Sequence, residues 1–125
     1  MIDFNNASFV KLKQVNDADF SSMLTPLLIP GEGIVSTFRG IRDGVVFTNK
    51  RIIAINVQGI TGKKKDFTSM PYGKIQVYSV ETSGTFDLDS ELVIWFSGVG
   101  KVKFEFTSSA NVTEICHHIS RFVLS

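Results

Sequence analysis

The sequence has little cysteine, no long hydrophobic run and no leader-like start. Its single cysteine, Cys116, has no partner for an internal disulfide, so nothing indicates an oxidising, secreted setting. The longest unbroken aliphatic or aromatic run is 92–96, five residues, whereas a membrane-spanning helix needs about 20. Residues 1–6 contain neither the basic region nor the apolar stretch that begins a secretory signal peptide. We therefore expect a cytoplasmic protein without a transmembrane segment.

The chain also lacks an excess of charge of one sign. Thirteen Lys and Arg stand against twelve Asp and Glu, for a formal net charge of +1. A protein that coats nucleic acid needs a clear basic excess, so we expect no nucleic-acid partner. With 125 residues and no linker-like or repeated segment, the sequence predicts a single domain over 1–125.

Catalytic and cofactor motifs are missing as well. The segment 59–64 resembles a phosphate-binding loop but lacks its first glycine and its final Ser or Thr. The segment 31–33 lacks the third glycine of a dinucleotide loop. His117 and His118 are neighbours on a predicted helix and point about 100° apart, so they cannot share one metal ion. Cys116 lies on that helix's apolar face. We expect no catalytic residue, no cofactor and no metal, and hence not an enzyme.

Apolar residues at helical spacing occur first near the amino terminus. Five of them recur at i, i+3, i+4, i+7 and i+8: Phe20, Met23, Leu24, Leu27 and Leu28. Pro26 interrupts the pattern because proline disfavours a helical conformation at the preceding residue. The sequence therefore predicts an amino-terminal helical segment over 1–32, whose short helix ends near Leu24.

The hydrophobic period then changes to two, as in half-buried strands. Seven strands fit between residues 33 and 107, at 34–38, 45–47, 52–55, 64–69, 75–80, 92–96 and 101–106. Polar or glycine-rich turns at 48–51, 58–62 and 82–85 separate several of them. This close spacing is typical of a sandwich or barrel.

The carboxy terminus returns to helical period over 110–124. One face carries Val112, Ile115, Cys116, Ile119, Phe122 and Val123. Asn111 and Glu114 have the spacing of a capping box. With no partner helix of similar length, this face should pack on the strands. The predicted fold class is therefore mainly β, a bent seven-stranded antiparallel barrel with a short amino-terminal helix and a carboxy-terminal capping helix.

Charge is unevenly distributed along the chain. Residues 39–65 contain seven basic side chains and one acidic one, a local balance of +6. From these we select Arg39, Arg42, Lys63, Lys64 and Lys65 as candidate anion or lipid ligands. Residues 81–91 contain four acids and no base, and Glu81, Asp87, Asp89 and Glu91 form a candidate oligomer-interface patch. Separated opposite patches attract between subunits, although solvated hairpin tips are an equally simple interpretation.

The acidic residues Asp87, Asp89 and Glu91 could also hold a hard cation, because they alternate along one face of an extended chain. A calcium loop starting at Asp87 would need Gly at position six and Glu at position twelve, where Leu92 and Gly98 stand. A solvated hairpin entry explains these residues better than a metal site.

Several strings, in order over nearly the whole chain, resemble the bacterial pleckstrin-homology-like (bacterial PH) domain family, a domain of unknown function. They lie at 27–32, 41–43, 47–53, 58–64, 71–72, 79–92 and 94–95. The resemblance implies a pleckstrin-homology-like fold, a bent seven-stranded barrel capped by a carboxy-terminal helix. It also implies an oligomeric, ring-forming module without an established ligand.

Three functions remain open at this point. The first is a non-enzymatic, self-assembling interaction module, a cyclic homo-oligomer. The second is peripheral binding of anionic lipid or phosphoinositide-like head groups through the basic loops. The third is capture of a peptide at a sheet edge, in the groove beside the carboxy-terminal helix.

Overall fold

The fold was analysed in a computed structural model that describes residues 1–58, 62–82, 89–107 and 110–125. The strands are β1 (Ala7–Val15), β2 (Ile34–Arg39), β3 (Gly44–Thr48), β4 (Arg51–Gln58), β5 (Lys64–Pro71), β6 (Ile75–Glu81), β7 (Ser90–Phe96) and β8 (Gly100–Phe106). The helices are α1 (Ala18–Leu24) and α2 (Val112–Val123), and 3-10 turns lie at Thr25–Leu27 and Tyr72–Lys74. None of the helices in these residues is long and apolar enough to span a membrane.

The strands form one curled sheet in the order β5-β4-β3-β2-β1-β8-β7-β6. Strands β2 to β5 make a first antiparallel half-sheet, and β6 to β8 make a second. The prediction of a mainly β fold with a short amino-terminal helix and a carboxy-terminal helix is confirmed. The predicted strand number is wrong by one, because the described residues contain eight strands.

The additional strand, β1, joins the two half-sheets. It pairs in parallel with β8 through Ala7–Phe9 and Leu12, and antiparallel with β2 through Lys13–Val15. Its register shifts between Phe9 and Leu12, where Lys11 adopts a φ of 54°. This irregularity places buried side chains three residues apart, at Phe9 and Leu12, so β1 lacks the strict two-residue period of a strand. Only a helix was predicted in this part of the chain.

The apolar side chains form two clusters, one on each side of the first half-sheet. The larger cluster lies between the half-sheets and α2 and contains Phe38, Phe47, Phe104 and Phe106. The smaller one is formed where α1 packs on the other face of β3 and β4, and it contains Phe20, Leu24, Val46, Ile53 and Ile55. Because both faces are covered, every residue of β3 is buried.

Helix α2 begins at the capping residue that the sequence predicts. The Asn111 side chain accepts a hydrogen bond from the Glu114 N–H, at 3.1 Å. Ile115 and Ile119 are buried, and the Phe122 ring stacks on Tyr72 with centroids 5.0 Å apart. The helix therefore packs its apolar face on the sheet, as its hydrophobic spacing predicts.

Candidate interaction surfaces

The predicted basic residues converge at one end of the first half-sheet. In the strand register Arg39 lies opposite Gly44, Gly44 lies opposite Ile55, and Val57 lies opposite Lys65. The β2–β3 loop and the start of β5 therefore reach the same end of the sheet. We call this surface the basic end and define it by Arg39, Arg42, Lys63, Lys64 and Lys65, all of which are exposed. Clustered cations of this kind attract anionic surfaces.

Side chains of α1 and β1 lie next to Arg39 of the basic end. The Arg39 guanidinium lies 4.8 Å from the centroid of the Phe20 ring, and its Nη2 is 3.7 Å from Oδ2 of Asp19. Lys13 lies directly opposite Arg39 across the β1–β2 pair and is exposed. The sequence analysis missed Lys13 because it missed β1. Helix α1 thus fixes Arg39 while β1 adds a further cation beside it.

An exposed apolar side chain lies at the basic end. Ile41, in the loop between β2 and β3, is 83% exposed. Beside this loop is a cleft of about 380 Å³, which β1, the loop and β4 enclose. Phe9, Leu12 and Val57 give the cleft apolar walls, and Arg42 belongs to its rim. The basic end therefore combines positive charge with apolar contact area.

The acidic residues form a row across the second half-sheet. Glu81 of β6 lies opposite Glu91 of β7, and Glu91 lies opposite Glu105 of β8. We call these three residues the acidic row. Glu105 was missed in the sequence because only register places it beside the others. Asp89 lies just before β7, and Asp87 lies outside the described residues.

One lysine partly neutralises the acidic row. Lys103 Nζ lies 3.1 Å from Glu91 Oε1. The hydrogen bond and charge of Glu91, with the charges of Glu105 and Glu81, raise the pKa of Lys103. The same outer face carries Val77 opposite Trp95, and Val77 is 55% exposed. An apolar patch therefore lies next to the acidic row.

A shallow groove separates β6 from α2. It encloses about 270 Å³, and its lining includes Val80, Val112, Cys116 and His117. Cys116 is half-buried here and His117 is exposed. Within the described part of the chain, no group of three or more His, Cys, Asp or Glu side chains is placed to hold a metal ion.

A chain of polar contacts runs from α2 into the first half-sheet. The Tyr72 hydroxyl donates to the Thr48 carbonyl at 2.7 Å and lies 2.8 Å from His118 Nε2. Burial, together with the charge of Glu32, raises the pKa of Tyr72. Burial lowers the pKa of His118. These contacts fix α2 on the sheet, and both pKa shifts favour the uncharged forms of Tyr72 and His118.

The same chain ends at a buried ion pair. The Thr48 hydroxyl lies 2.7 Å from Glu32 Oε2, and Arg51 binds both Glu32 oxygens at 2.9 Å. The Glu32 side chain is 0% exposed. This pair connects the segment before β2 to the start of β4.

Comparison with protein families and known proteins gives a consistent result. Residues 3–123 match the family described as "Bacterial PH domain". The chain is 55% identical over 75 residues to uncharacterized protein YjqA of Bacillus subtilis (strain 168), covering 60% of each protein. It is 32% identical over 92 residues to uncharacterized protein YozO of the same strain, covering 74% of this chain and 79% of YozO.

Crystal structures with a similar fold include two from Shewanella species. A DUF1696 family protein with a pleckstrin-homology domain from Shewanella loihica PV-4 is 39% identical, with a TM-score of 0.80, over 91% of this chain and 98% of that one. A pleckstrin homology domain from Shewanella amazonensis SB2B is 38% identical, with a TM-score of 0.68, over 89% of this chain and 90% of that one.

Proposed function

The chain belongs to the bacterial PH domain family, and from that premise we propose that it is a non-enzymatic, cytoplasmic interaction module that assembles with copies of itself into a closed ring. One observation carries this proposal. The basic end lies on the first half-sheet and the acidic row on the second, so a chain whose formal net charge is only +1 carries two oppositely charged surfaces. Such a subunit attracts its own copies without strong net repulsion.

The use of two different surfaces favours a ring over a symmetric dimer. An isologous contact that used only the basic end or only the acidic row would pair that surface with itself and bring like charges together. A contact between the basic end of one copy and the acidic row of the next is heterologous. Contacts of that kind repeat from copy to copy and end only when the ring closes.

Light scattering on the purified chain, at several protein concentrations and salt concentrations, tests the proposal. We expect a discrete oligomer at low ionic strength whose mass falls as salt is added, because salt screens exposed charges. A monomer under all conditions would contradict self-assembly. An oligomer whose mass does not change with salt concentration would show that apolar surfaces hold the copies together.

Charge-reversal variants identify the acidic surface. Glu81→Lys combined with Glu91→Lys should shift the mass towards the monomer. Glu114→Lys combined with Asp3→Lys is the matched control, since it makes the same charge change at exposed positions outside the acidic row. Equal effects of the two double variants would mean that total charge, and not the acidic row, governs assembly.

Binding to an anionic membrane is a second candidate, favoured by Ile41. An apolar side chain that is 83% exposed between Arg39 and Arg42 has the chemistry of a residue that enters the lipid interface beneath basic neighbours. Each Lys or Arg near an anionic surface contributes about 1 kcal/mol. A ring would multiply that weak contribution through avidity.

Vesicle co-sedimentation tests this second candidate. We expect the chain to sediment with vesicles that contain anionic phosphatidylglycerol and to stay in solution with neutral phosphatidylcholine vesicles. Ile41→Ser should lower the bound fraction without changing net charge, whereas Val35→Ser, at another exposed apolar position, should not. Equal recovery with both kinds of vesicle would rule out this function.

A further inference from the structure

The first half of β1 lies inside the sheet, yet it has a neighbouring strand on one side only. Strand β2 pairs with β1 at Lys13–Val15, whereas β8 pairs with the other side of β1 from Ala7 onward. Among the described strands, none therefore covers residues 7–12 on the side away from β8. A half-paired strand presents backbone donors and acceptors that a further strand can satisfy.

One hydrogen bond shows which backbone groups of β1 face this uncovered side. The Lys101 N–H of β8 donates to the Phe4 carbonyl at 3.0 Å, so the odd-numbered residues of β8 turn their backbone groups towards β1. Lys103 lies opposite Ser8. In a parallel pair, a residue bonds to the two neighbours of the residue opposite it, and that opposite residue turns its own N–H and C=O away. The backbone groups of Ser8 therefore face the uncovered side.

A groove lies beside this edge. It joins the cleft at the basic end to a second cleft of about 160 Å³, and both are lined by Ser8, Phe9, Asp43 and Asn56. The first cleft follows β1 as far as Leu12, and the second reaches Asn6. The Val10 carbonyl also points to this side, since a Cβ at Gly40 would lie 3.3 Å from its oxygen. We call this space the β1 groove; it follows residues 6–12, about 20 Å of extended chain.

The β1 groove has an apolar floor and opposite charges at its two ends. Phe9 and Leu12 are buried and form the floor. Arg42 lines the first cleft, at the basic end, and Asp3 lines the second, while Asp43 lines both. A ligand that matches the whole groove is therefore elongated, with an apolar face, a negative charge at the Arg42 end and a positive charge at the Asp3 end.

We propose that the β1 groove binds an extended peptide, which adds as a strand to the uncovered edge of β1. Its acidic side chain lies at the Arg42 end and its basic side chain at the Asp3 end. The peptide runs antiparallel to β1, because antiparallel pairing is the more stable kind and because β2, whose line the peptide continues, also runs antiparallel to β1.

The backbone groups favour a peptide over an acyl chain. An acyl chain would fill the apolar part of the groove, but it would bury the N–H and C=O of Ser8 without hydrogen-bond partners, which is costly. A peptide strand supplies those partners. The inference goes beyond the proposed self-assembly and does not depend on it.

Calorimetric titration with a defined peptide tests the charge arrangement. The probe is the capped peptide Glu-Val-Thr-Val-Thr-Lys, whose valines share one face and can pack on Phe9 and Leu12. The control is Lys-Val-Thr-Val-Thr-Glu, which has the same composition and net charge. In the antiparallel orientation the control brings like charges together at both ends, so we expect it to bind about tenfold more weakly. Equal affinities, or no binding of the probe, would overturn the proposal.

Backbone methylation of the probe tests strand addition without any change to the protein. Only alternate N–H groups of a strand face its neighbour. Of two probes, one N-methylated at both valines and the other at both threonines, one should therefore lose at least about tenfold in affinity and the other should lose much less. Equal affinities of the two methylated probes would contradict pairing with a strand.

Variants at Ser8 test the protein side. Ser8→Pro removes an N–H that faces the groove and should weaken binding about fivefold or more, whereas Ser8→Ala keeps that N–H and should bind as the wild type does. Unchanged binding by Ser8→Pro would overturn the proposal. If circular dichroism shows that Ser8→Pro is misfolded, the methylated probes decide the question.

Amide hydrogen exchange of the wild-type chain locates the peptide. The probe should slow exchange in residues 6–12 and leave residues 75–81 of β6 unchanged. Slower exchange in 6–12 with decanoate, but not with the probe, would identify an acyl-chain site and overturn the proposal. Protection of 6–12 that rises with protein concentration and that the probe does not change would mean that a second copy occupies the groove, which would overturn it as well.

Discussion

The buried pair of Glu32 and Arg51 fixes the place where the chain enters the first half-sheet. Arg51 Nε and Nη2 hold the two carboxylate oxygens, and Nη2 also donates to the Leu27 carbonyl at 2.9 Å. Burial alone would raise the pKa of Glu32, but hydrogen bonds from Arg51, Thr48 and the Ile29 N–H, with the guanidinium charge, lower it below its ordinary value of 4.5. The carboxylate is therefore ionised at neutral pH and supports the native state.

We predict that Glu32→Gln destabilises the fold by about 3 kcal/mol at pH 7, because it leaves the half-buried Arg51 charge without its partner. A carboxyl whose pKa is lower in the folded state stabilises above its unfolded pKa, and it loses that stabilisation as pH falls through the folded pKa. The wild-type chain should thus lose stability as pH falls below about 4.5, and the variant should lose less.

Urea unfolding at pH 7 and at pH 3.5 measures both effects. Glu114→Gln, at an exposed position on α2, is the control and should change stability by about 0.5 kcal/mol or less. The same pH dependence in the wild type and in Glu32→Gln would contradict this account of the ion pair.

His118 gives a second prediction, at higher pH. Its ring lies among Phe47, Tyr72 and Phe122, and burial lowers its pKa below the ordinary 6.5. As pH falls below 6.5 the unfolded chain takes up a proton that the folded chain does not, so stability falls. The slope is at most about 1.4 kcal/mol per pH unit, and smaller in practice because solvent screens the half-exposed ring.

Thermal unfolding at pH 7.5 and pH 5.5 checks this prediction. The wild type should show a larger fall in Tm than His118→Gln, while His117→Gln should behave like the wild type. His117 is the matched control because it is the adjacent residue on α2 and is exposed. An identical fall in all three proteins would exclude His118 as the titrating group.

At the scale of elements, periodicity predicted most of the fold but not β1. Strand β8 and helix α2 have buried residues at regular spacing, so their type follows from the sequence. Strand β1 changes partner at the irregularity around Lys11, and its buried residues lose the two-residue spacing. The packing of α1 on β3 was not predictable either, because burial of β3 on both faces removes its alternation.

The sequence shows which segments are charged, but it does not show which of them lie together in the folded sheet. The two basic runs, Arg39–Arg42 and Lys63–Lys65, are visible in the sequence. That both lie at the same end of the sheet follows only from the strand register. Glu105 joins Glu81 and Glu91 for the same reason. Ile41 gave no signal, because a single isoleucine in a turn is as consistent with burial as with the 83% exposure that the structure shows.

The contact between α1 and β3 gives a prediction of its own. A Cβ at Gly44 would lie 2.6 Å from the Phe20 ring, so Gly44→Ala should push α1 off the sheet and cost about 1 to 3 kcal/mol. Gly33→Ala is the matched control, since a Cβ there meets nothing within 4 Å. Chemical denaturation measures the cost. A neutral Gly44→Ala would mean that the Phe20 ring moves aside freely.

At the scale of the whole molecule, β1 makes one sheet out of two halves. Strands β2 to β5 form one antiparallel meander and β6 to β8 form another, and β1 pairs with both. The outer strands β5 and β6 remain at the ends of this sheet. The same topology leaves β5 and β6, which are joined in sequence by the Tyr72–Lys74 turn, as the first and last strands of the described sheet.

The proposed self-assembly of native copies should couple association to folding. A partner that binds only the native state raises the unfolding temperature, and it does so more at higher subunit concentration. We predict that the Tm of the wild-type chain rises by several degrees between about 1 μM and 100 μM at low salt. The rise should be smaller in Lys65→Glu, which reverses one charge of the basic end at an exposed position.

Differential scanning fluorimetry at a series of concentrations, repeated in high salt, provides the measurement. In high salt, the Tm of the wild type should depend on protein concentration no more than the Tm of the variant does. Salt and the Lys65→Glu change each weaken the same attraction between charges. If light scattering shows oligomers while Tm does not depend on concentration, the copies associate equally well when unfolded. The basic end and the acidic row would then not be the contact, because only the folded sheet brings their residues together.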